Sequence, residues 1–529
     1  MDIYLKYNVM VTFGRKLPIG IQTFEKIRRD GYLYVDKTEL VWQLASTSVP
    51  NFLSRPRRFG KSLLLSTFKA YFEGKKELFE GLTIEKLEEK WEKHPVLHLD
   101  LNAEKYDTIE SLNAILSYQL TQWEAIYGKG TDETTLSNRF KGVIQRAYEQ
   151  TGKGVVVLVD EYDKPLLQAI HNEELLEAYR VILKAFYGTL KSKDSCLRFV
   201  FLTGVTKFSQ VSVFSDLNQL NDISMDYDFG CICGITHQEL LSTFEPEIKA
   251  LAKFNGVSEK EAVEQMTRQY DGYHFHPYAE GVYNPFSVLN AFYKKEFGNY
   301  WFQTGTPTFL VKLLLNADYD LRTLIDGVEA SAITFTEYRA EAGNPIPLIY
   351  QSGYLTIKDF DKRFKIYTLG FPNDEVRYGF LNFLVPFYTP ITDDKKNFYI
   401  GKFIRELETG DVDSFMQRFE AFFADFPYEL NDKTERHYQV IVYLIFKLMG
   451  QFTQAEVHSA KGRADAVVQT KDYVYVFEFK LNGTAEEALQ QIGEKGYAAP
   501  FKGDSRQLVK VGVEFSAETR NVKRWLVEK

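Results

Sequence analysis

Leu53-Ser54-Arg55-Pro56-Arg57-Arg58-Phe59-Gly60-Lys61-Ser62 decides how the first half of this chain is read. It follows a short apolar run, opens a helical one, and ends in the Gly-Lys-Ser of a phosphate-binding loop. In such a loop backbone N–H groups at a helix N-terminus wrap the phosphates. A lysine reaches the β and γ oxygens, and the next hydroxyl helps to hold Mg2+. The usual pattern has a glycine five residues before Gly60; here Arg55 stands there, and Pro56, Arg57 and Arg58 fill the loop. The match is partial, and the ligands it implies are ATP and Mg2+. Arg57, Arg58, Phe59, Gly60, Lys61 and Ser62 are assigned to nucleotide binding, with Ser62 also a metal ligand. Whether Arg57 and Arg58 touch phosphate or only brace the loop stays open at this level.

Outward from the loop, short apolar strands alternate with amphipathic helices from Leu17 to about Leu240, the sequence form of a parallel α/β sheet. Expected strands are Val49–Leu53, Val96–Leu101, Val155–Val159, Arg198–Leu202 and Cys231–Ile235. The helix opening at Lys61 carries Leu64, Leu65, Phe68, Tyr71 and Phe72 at helical spacing and stops at Gly74. The wholly apolar Val155–Val159 ends in Asp160-Glu161-Tyr162-Asp163, at the strand edge where ligands of open parallel sheets bind. Asp160 is placed to hold Mg2+ through water and Glu161 to polarise the water that attacks the γ-phosphate. After the next strand, Thr203 is either a sensor of the nucleotide or part of an ordinary polar loop.

From Thr236 the chain turns helical, with Thr236 and Glu239 as a capping box. His274-Phe275-His276 lacks a third ligand at a recognisable spacing and is read as structural. A helix containing Phe309–Leu315 precedes Ile349–Gly353 and two β-rich pieces, Tyr354–Lys358 and Arg363–Leu369. Helices followed by a hairpin outline a winged helix, which either contacts nucleic acid or packs on its neighbour; packing is favoured because the hairpin is not strongly basic. Beyond Thr389, Phe403, Phe415, Phe419, Phe422, Phe423 and Phe426 form a stripe read as core.

The last hundred residues hold a second chemical centre. Gly462-Arg463-Ala464-Asp465-Ala466-Val467-Val468 and Tyr473-Val474-Tyr475-Val476-Phe477-Glu478-Phe479-Lys480 both read as strands. Side chains two apart share a strand face, so Glu478 and Lys480 point one way and Tyr475, Phe477 and Phe479 the other. A hairpin about Lys471-Asp472 sets Asp465 across from Glu478, and two carboxylates that close repel unless a cation lies between them. With Glu435 as a further possible carboxylate, Asp465 and Glu478 make an oxygen-only site suited to Mg2+, and Lys480 would orient water or stabilise developing charge. A helix follows, capped by Thr484 and Glu487, with Gln491 and Lys495 on one face.

The bulk numbers bound these readings. A chain of 529 residues exceeds one hydrophobic core, and 45% apolar, 26% charged and 15% aromatic residues suit packed globular domains. A net charge of −8 argues against a protein that coats nucleic acid non-specifically. Three cysteines without a C-x-x-C pair support neither a disulfide framework nor a cysteine zinc site. Lacking a leader-like segment and a long apolar run, the protein is expected in the cytoplasm, without a membrane.

At these residues the chain resembles a bacterial family that joins an AAA-ATPase-like domain to a C-terminal domain of the PD-(D/E)xK nuclease superfamily. The resemblance runs over nearly all of the chain after Leu17. It rests on Arg55–Ser62, Val159–Asp163, Tyr270-Asp271-Gly272-Tyr273 with Tyr283-Asn284-Pro285-Phe286, and Gly462–Asp465 with Glu478-Phe479-Lys480. It implies that the arginine-rich loop is a family variant, and that the superfamily's acid, Glu-x-Lys and helical glutamine fall on Asp465, Glu478, Lys480 and Gln491. The expected fold is α/β, with a P-loop AAA-ATPase-like parallel sheet over 17–240 and a helical, winged-helix-like middle over 241–390. A helical linker over 391–430 and a restriction-endonuclease-like α/β domain over 431–529 complete it. The expected function is ATP binding and hydrolysis coupled to a Mg2+-dependent nuclease acting on nucleic acid, with DNA favoured and a homo-oligomer possible. The alternative is a nucleotide-gated interaction protein whose nuclease-like fold is a non-catalytic binding module.

Overall fold

The computed structural model describes residues 15–102, 104–207, 220–304, 314, 324, 327–336, 344–388, 393–424, 435–450, 453–457, 465–481, 483–516, 518–519 and 521–529. They fall into two compact units, one of residues 1–305 with 327–375, the other of 306–326 with 376–529. Among the described residues no helix is long and apolar enough to cross a membrane.

The first unit is built on a parallel sheet of β1 (Asn51–Ser54), β2 (Val96–Asp100), β3 (Val155–Asp160), β4 (Leu197–Gly204) and β5 (Asn221–Asp222), in the order β2-β3-β4-β1-β5. Every residue of β3 is buried, which is why the sequence there is continuously apolar rather than alternating. The Lys61–Phe72 helix lays Phe68 and Phe72 on Phe199 of β4, with Phe68 also on Phe201. The order has a chemical consequence. β4 lies between the strand that feeds the phosphate loop and the strand that ends in the acidic run, so residues leaving β4 stand between loop and acids.

One expected strand is absent. Cys231–Ile235 turns instead of extending: Gly234 sits at φ 104°, and Ile235 makes only an isolated bridge to Tyr283. Ile232, Cys233 and Ile235 are all buried, so the apolar run reported burial and not extension. The fifth strand is the two-residue, polar Asn221–Asp222.

Helices follow, two of them opened by complete capping boxes at Thr236/Glu239 and Ser258/Glu261. Residues 327–375 add a three-stranded antiparallel sheet of β6 (Val328–Ser331), β7 (Thr356–Asp361) and β8 (Ile366–Gly370), ordered β6-β8-β7. Its inner side packs on the rest of the unit. Gln351 Oε1 accepts from Lys207 N at 2.8 Å, and Thr356 Oγ1 accepts from His274 N at 2.7 Å. Of the expected Phe309–Leu315 helix only Leu314 is among the described residues, helical and buried.

In the second unit, β9 (Gln454–Val457), β10 (Ala466–Gln469), β11 (Tyr473–Leu481), β12 (Gln507–Ser516) and β13 (Asn521–Glu528) form one sheet in the order β13-β12-β11-β10-β9. The β10–β11 register pairs Ala466 with Phe477 and Gln469 with Val474, which is the register expected from a hairpin about Lys471-Asp472. Tyr475, Phe477 and Phe479 stack in a row on one face. Against that row lie Phe415, Phe419 and Phe446, and burial of each such ring contributes about 2 kcal/mol. The phenylalanine stripe is core through Phe403, Phe415, Phe419, Phe422 and Phe423; Phe426 lies outside the described residues.

Candidate active sites

Arg55, which departs from the usual loop pattern, is held inside the fold. It is 1% exposed, its guanidinium donates to the carbonyls of Ser54, Ser224 and Phe229, and it lies 3.9 Å over the Phe275 ring. It staples the end of β1 to the chain that follows β5. Sequence reading missed this role because a lone arginine in a loop gives no signal of burial.

The rest of the loop is braced in the same way. Phe59 is buried edge-on against Tyr273 and Phe275. Arg57 and Arg58 are exposed, Arg58 at φ 67° with its guanidinium 5.1 Å over Phe286. Trp301 Nε1 donates to Arg57 O at 2.9 Å. The Trp301 backbone N–H in turn donates at 2.7 Å to Glu375, whose carboxyl burial pushes up to about 7. The Tyr270–Tyr273 and Tyr283–Phe286 motifs thus form the wall behind the loop, with Asn284 capping the Pro285–Lys294 helix through Ser287 N.

Lys61, Asp160, Glu161 and Thr203 come together. Lys61 Nζ, 4% exposed, donates to Arg55 O at 3.1 Å and Pro56 O at 3.2 Å, and lies 3.5 Å from Glu161 Oε1. Thr203 Oγ1 donates to Asp160 Oδ1 at 2.7 Å. Glu161 sits in the left-handed region, at φ 54°. Ser62 occupies the first turn of its helix, half-buried. Behind them Asp163, fully buried, accepts from Thr206 N and Thr206 Oγ1, each at 2.6 Å, and from Val205 N at 3.1 Å. Burial, and then the charge of Glu161, push its carboxyl up to about 6. Asp163 fixes the turn after β4 to the acidic run. It stood in the quoted tetrad, but nothing in the sequence separated a buried anchor from a solvated acid.

The second site is tighter. Asp465 Oδ2 accepts from Phe479 N at 2.9 Å, which holds it at the edge of β11 beside Glu478. Glu478 is 3% exposed, and its Oε2 is buried without a partner. Gln491 Nε2 donates to Glu478 Oε1, Lys480 Nζ donates to Gln491 Oε1, and Lys480 Nζ also lies 3.4 Å from Glu478 Oε1. Burial and then Asp465 push the Glu478 carboxyl up to about 7; burial also raises that of Asp465. Gly512 of β12 pairs with Glu478 of β11, and a Cβ there would meet Ala485 O at 2.4 Å. The missing side chain lets the Ala485–Glu494 helix approach closely enough to deliver Gln491.

These residues fit a divalent cation. An orphaned buried oxygen beside a second carboxylate is a deficit of positive charge, and Mg2+ is commonly bound through one or two carboxylates while keeping several waters. Asp465 and Glu478 would hold it. Among the described residues no group of three metal-binding side chains assembles. Glu435 begins the Glu435–Met449 helix, but its side chain, like the expected Gly462-Arg463-Ala464, lies outside the described residues.

Comparison with known proteins agrees with this division of labour. A family model described as a predicted AAA-ATPase matches residues 18–214, and one described as the PD-(D/E)XK nuclease superfamily matches residues 433–525. A protein of Azotobacter chroococcum mcd 1, described as an uncharacterized protein in the vnfD 5′ region, is 36% identical over 527 residues, covering 97% of this chain and 99% of its own. The chain belongs to this AAA-ATPase-like, PD-(D/E)xK family. Within that family it is a nucleotide-binding and nuclease-like protein, and the likeness extends through the helical middle, between the two matched domains.

Proposed function

We propose that this chain binds and hydrolyses ATP and couples that cycle to Mg2+-dependent cleavage of nucleic acid, with DNA the favoured substrate. The observation that carries the nuclease half is the buried, unpartnered Glu478 Oε2 beside Asp465, with Lys480 and Gln491 bonded into the same cluster. When bound, Mg2+ supplies charge at a phosphodiester and a more acidic water. Lys480 Nζ holds that water or stabilises charge on the phosphate, and Gln491 fixes Lys480 and Glu478 relative to each other.

In the first unit, Lys61 binds the β and γ oxygens after leaving the loop carbonyls, Ser62 and Asp160 hold Mg2+, and Glu161 Oε1, released from Lys61, accepts a proton from the attacking water. Thr203, bonded to Asp160, registers the arrangement. Arg57 and Arg58 are the exposed cations nearest the loop and serve the phosphates or a neighbouring copy of this chain. Domain limits of 17–240, 241–390, 391–430 and 431–529, and a cytoplasmic location, belong to the same proposal.

The test is one assay of the purified chain on single-stranded DNA, duplex DNA and RNA, with and without ATP and Mg2+. Mg2+-dependent cleavage of at least one substrate, altered by ATP, is expected. Absence of cleavage under every condition, with ATP turnover intact, would leave a nucleotide-gated interaction protein.

A further inference from the structure

The hairpin of β7 and β8 packs its inner side on the first unit, but its tip does not. There Phe364 is 61% exposed, and on the neighbouring surface Tyr278 is 51% exposed and Tyr227 61%. These rings are not scattered. Tyr227 lies 5.6 Å from His276, His276 5.5 Å from Tyr278, and Tyr278 6.3 Å from Phe360 of β7. Tyr227, His276, Tyr278 and Phe360 thus form a run of ring contacts, an aromatic ridge within one unit, with Phe364 exposed at the hairpin tip beyond Phe360.

Cations are interleaved with it. Lys362 Nζ sits 4.6 Å over the Tyr278 ring, and the Arg363 guanidinium 4.9 Å over Phe364. Lys365 follows, exposed. The acids of the hairpin are turned to its backbone: Asp361 Oδ1 accepts from Arg363 N at 2.8 Å and Phe364 N at 3.0 Å, and Asp359 Oδ1 from Phe360 N at 2.8 Å. Asp226 and Asp228 flank Tyr227 at the far end, so charge along the ridge runs from acidic at Tyr227 to basic at the hairpin tip.

We infer that this ridge is a binding surface for single-stranded nucleic acid, separate from the nuclease-like site and carried by the ATPase unit. Exposed rings accept unstacked bases once Lys362 and Arg363 move off the faces of Tyr278 and Phe364 to meet the phosphates; that combination is tolerant of sequence and selective for single strands. A duplex keeps its bases stacked inside and gains only the charge. A protein partner would also use aromatic rings, but the pairing of Tyr278 and Phe364 each with a cation favours a polyanion. The inference rests on the reading of this chain as a nucleic-acid enzyme, and it assigns substrate capture to the first unit.

The experiment is fluorescence anisotropy with a labelled oligothymidylate and a matched duplex, in EDTA, on the full chain carrying Asp465→Ala so that no strand is cut. Adding Tyr278→Ala with Phe364→Ala should weaken single-strand affinity by about tenfold per ring. Lys362→Glu with Arg363→Glu should make the salt dependence shallower by about 1.4 units of slope. A halouridine oligonucleotide should photocrosslink to peptides 274–280 and 359–367. Unchanged affinity in ring variants that melt at the parent temperature, crosslinks confined to 433–525, preference for duplex, or no binding of any oligonucleotide would each overturn the inference. Ring-dependent binding without cleavage by the unmutated chain would sink the nuclease reading and leave this surface standing; cleavage with ring-independent binding would do the reverse.

Discussion

The two chemical centres differ in what they lack. In the phosphate loop the buried charges already have company: Lys61 is bonded to the carbonyls of Arg55 and Pro56 and lies near Glu161, and Asp160 accepts from Thr203. In the nuclease-like site Asp465 and Oε1 of Glu478 have partners, but Oε2 of Glu478 is buried and unsatisfied. A site with satisfied charges must be opened by its ligand, which suits a switch. One short of a cation is completed by its ligand, which suits an effector whose activity follows metal occupancy. The contrast can be broken at either end.

The largest effect is expected at Lys61. Lys61→Ala removes the charge proposed to meet the γ-phosphate and should lower ATP turnover by about a hundredfold or more, measured as phosphate release. Turnover near that of the parent would remove Lys61 from its role and with it the switch half of the contrast. Arg55→Gly comes next: it creates the usual loop pattern, yet should destabilise the first unit by about 3 kcal/mol because buried carbonyls of Ser54, Ser224 and Phe229 lose their donor. A chemical-denaturation midpoint that does not fall would show that the arginine is dispensable.

The carboxylate deficit predicts a pH dependence. Glu478 is pushed up to about 7 in the fold, above its value in the unfolded chain of about 4.3. Without metal, its contribution to stability is therefore present below the unfolded value and lost as pH rises through about 7. Mg2+ binds the deprotonated form, so calorimetry should show affinity rising about tenfold from roughly pH 6 to roughly pH 8, with proton release. A flat profile contradicts the metal assignment. The smallest effect sharpens the geometry: Gly512→Ala should push the Ala485–Glu494 helix off β12 at a cost of about 1 kcal/mol and reduce cleavage while leaving ATP turnover unchanged.

Much of this is legible in the sequence alone. The period of two in Tyr473–Lys480 separated Glu478 and Lys480 from the rings, and the hairpin about Lys471-Asp472 put Asp465 in register, because pairing rules are local and geometric. The Gly-Lys-Ser ending and the acidic end of β3 were visible for the same reason. What stayed hidden was burial imposed from a distance. Arg55 and Asp163 are polar residues inside, a state fixed by partners up to 174 residues away and invisible to composition or spacing. Cys231–Ile235 failed from the opposite side, since an apolar run cannot distinguish a buried turn from a buried strand. The ridge around Tyr278 joins three separate chain segments and exists only once they fold.

The most direct measurement is cleavage of single-stranded DNA, duplex DNA and RNA in Mg2+ and ATP by the unmutated chain beside Asp465→Ala and Lys61→Ala. The account predicts cleavage by the unmutated chain, its loss in Asp465→Ala with ATP turnover retained, and loss of the ATP effect in Lys61→Ala. Cleavage that persists in Asp465→Ala, or that no substrate elicits from the unmutated chain, would contradict it.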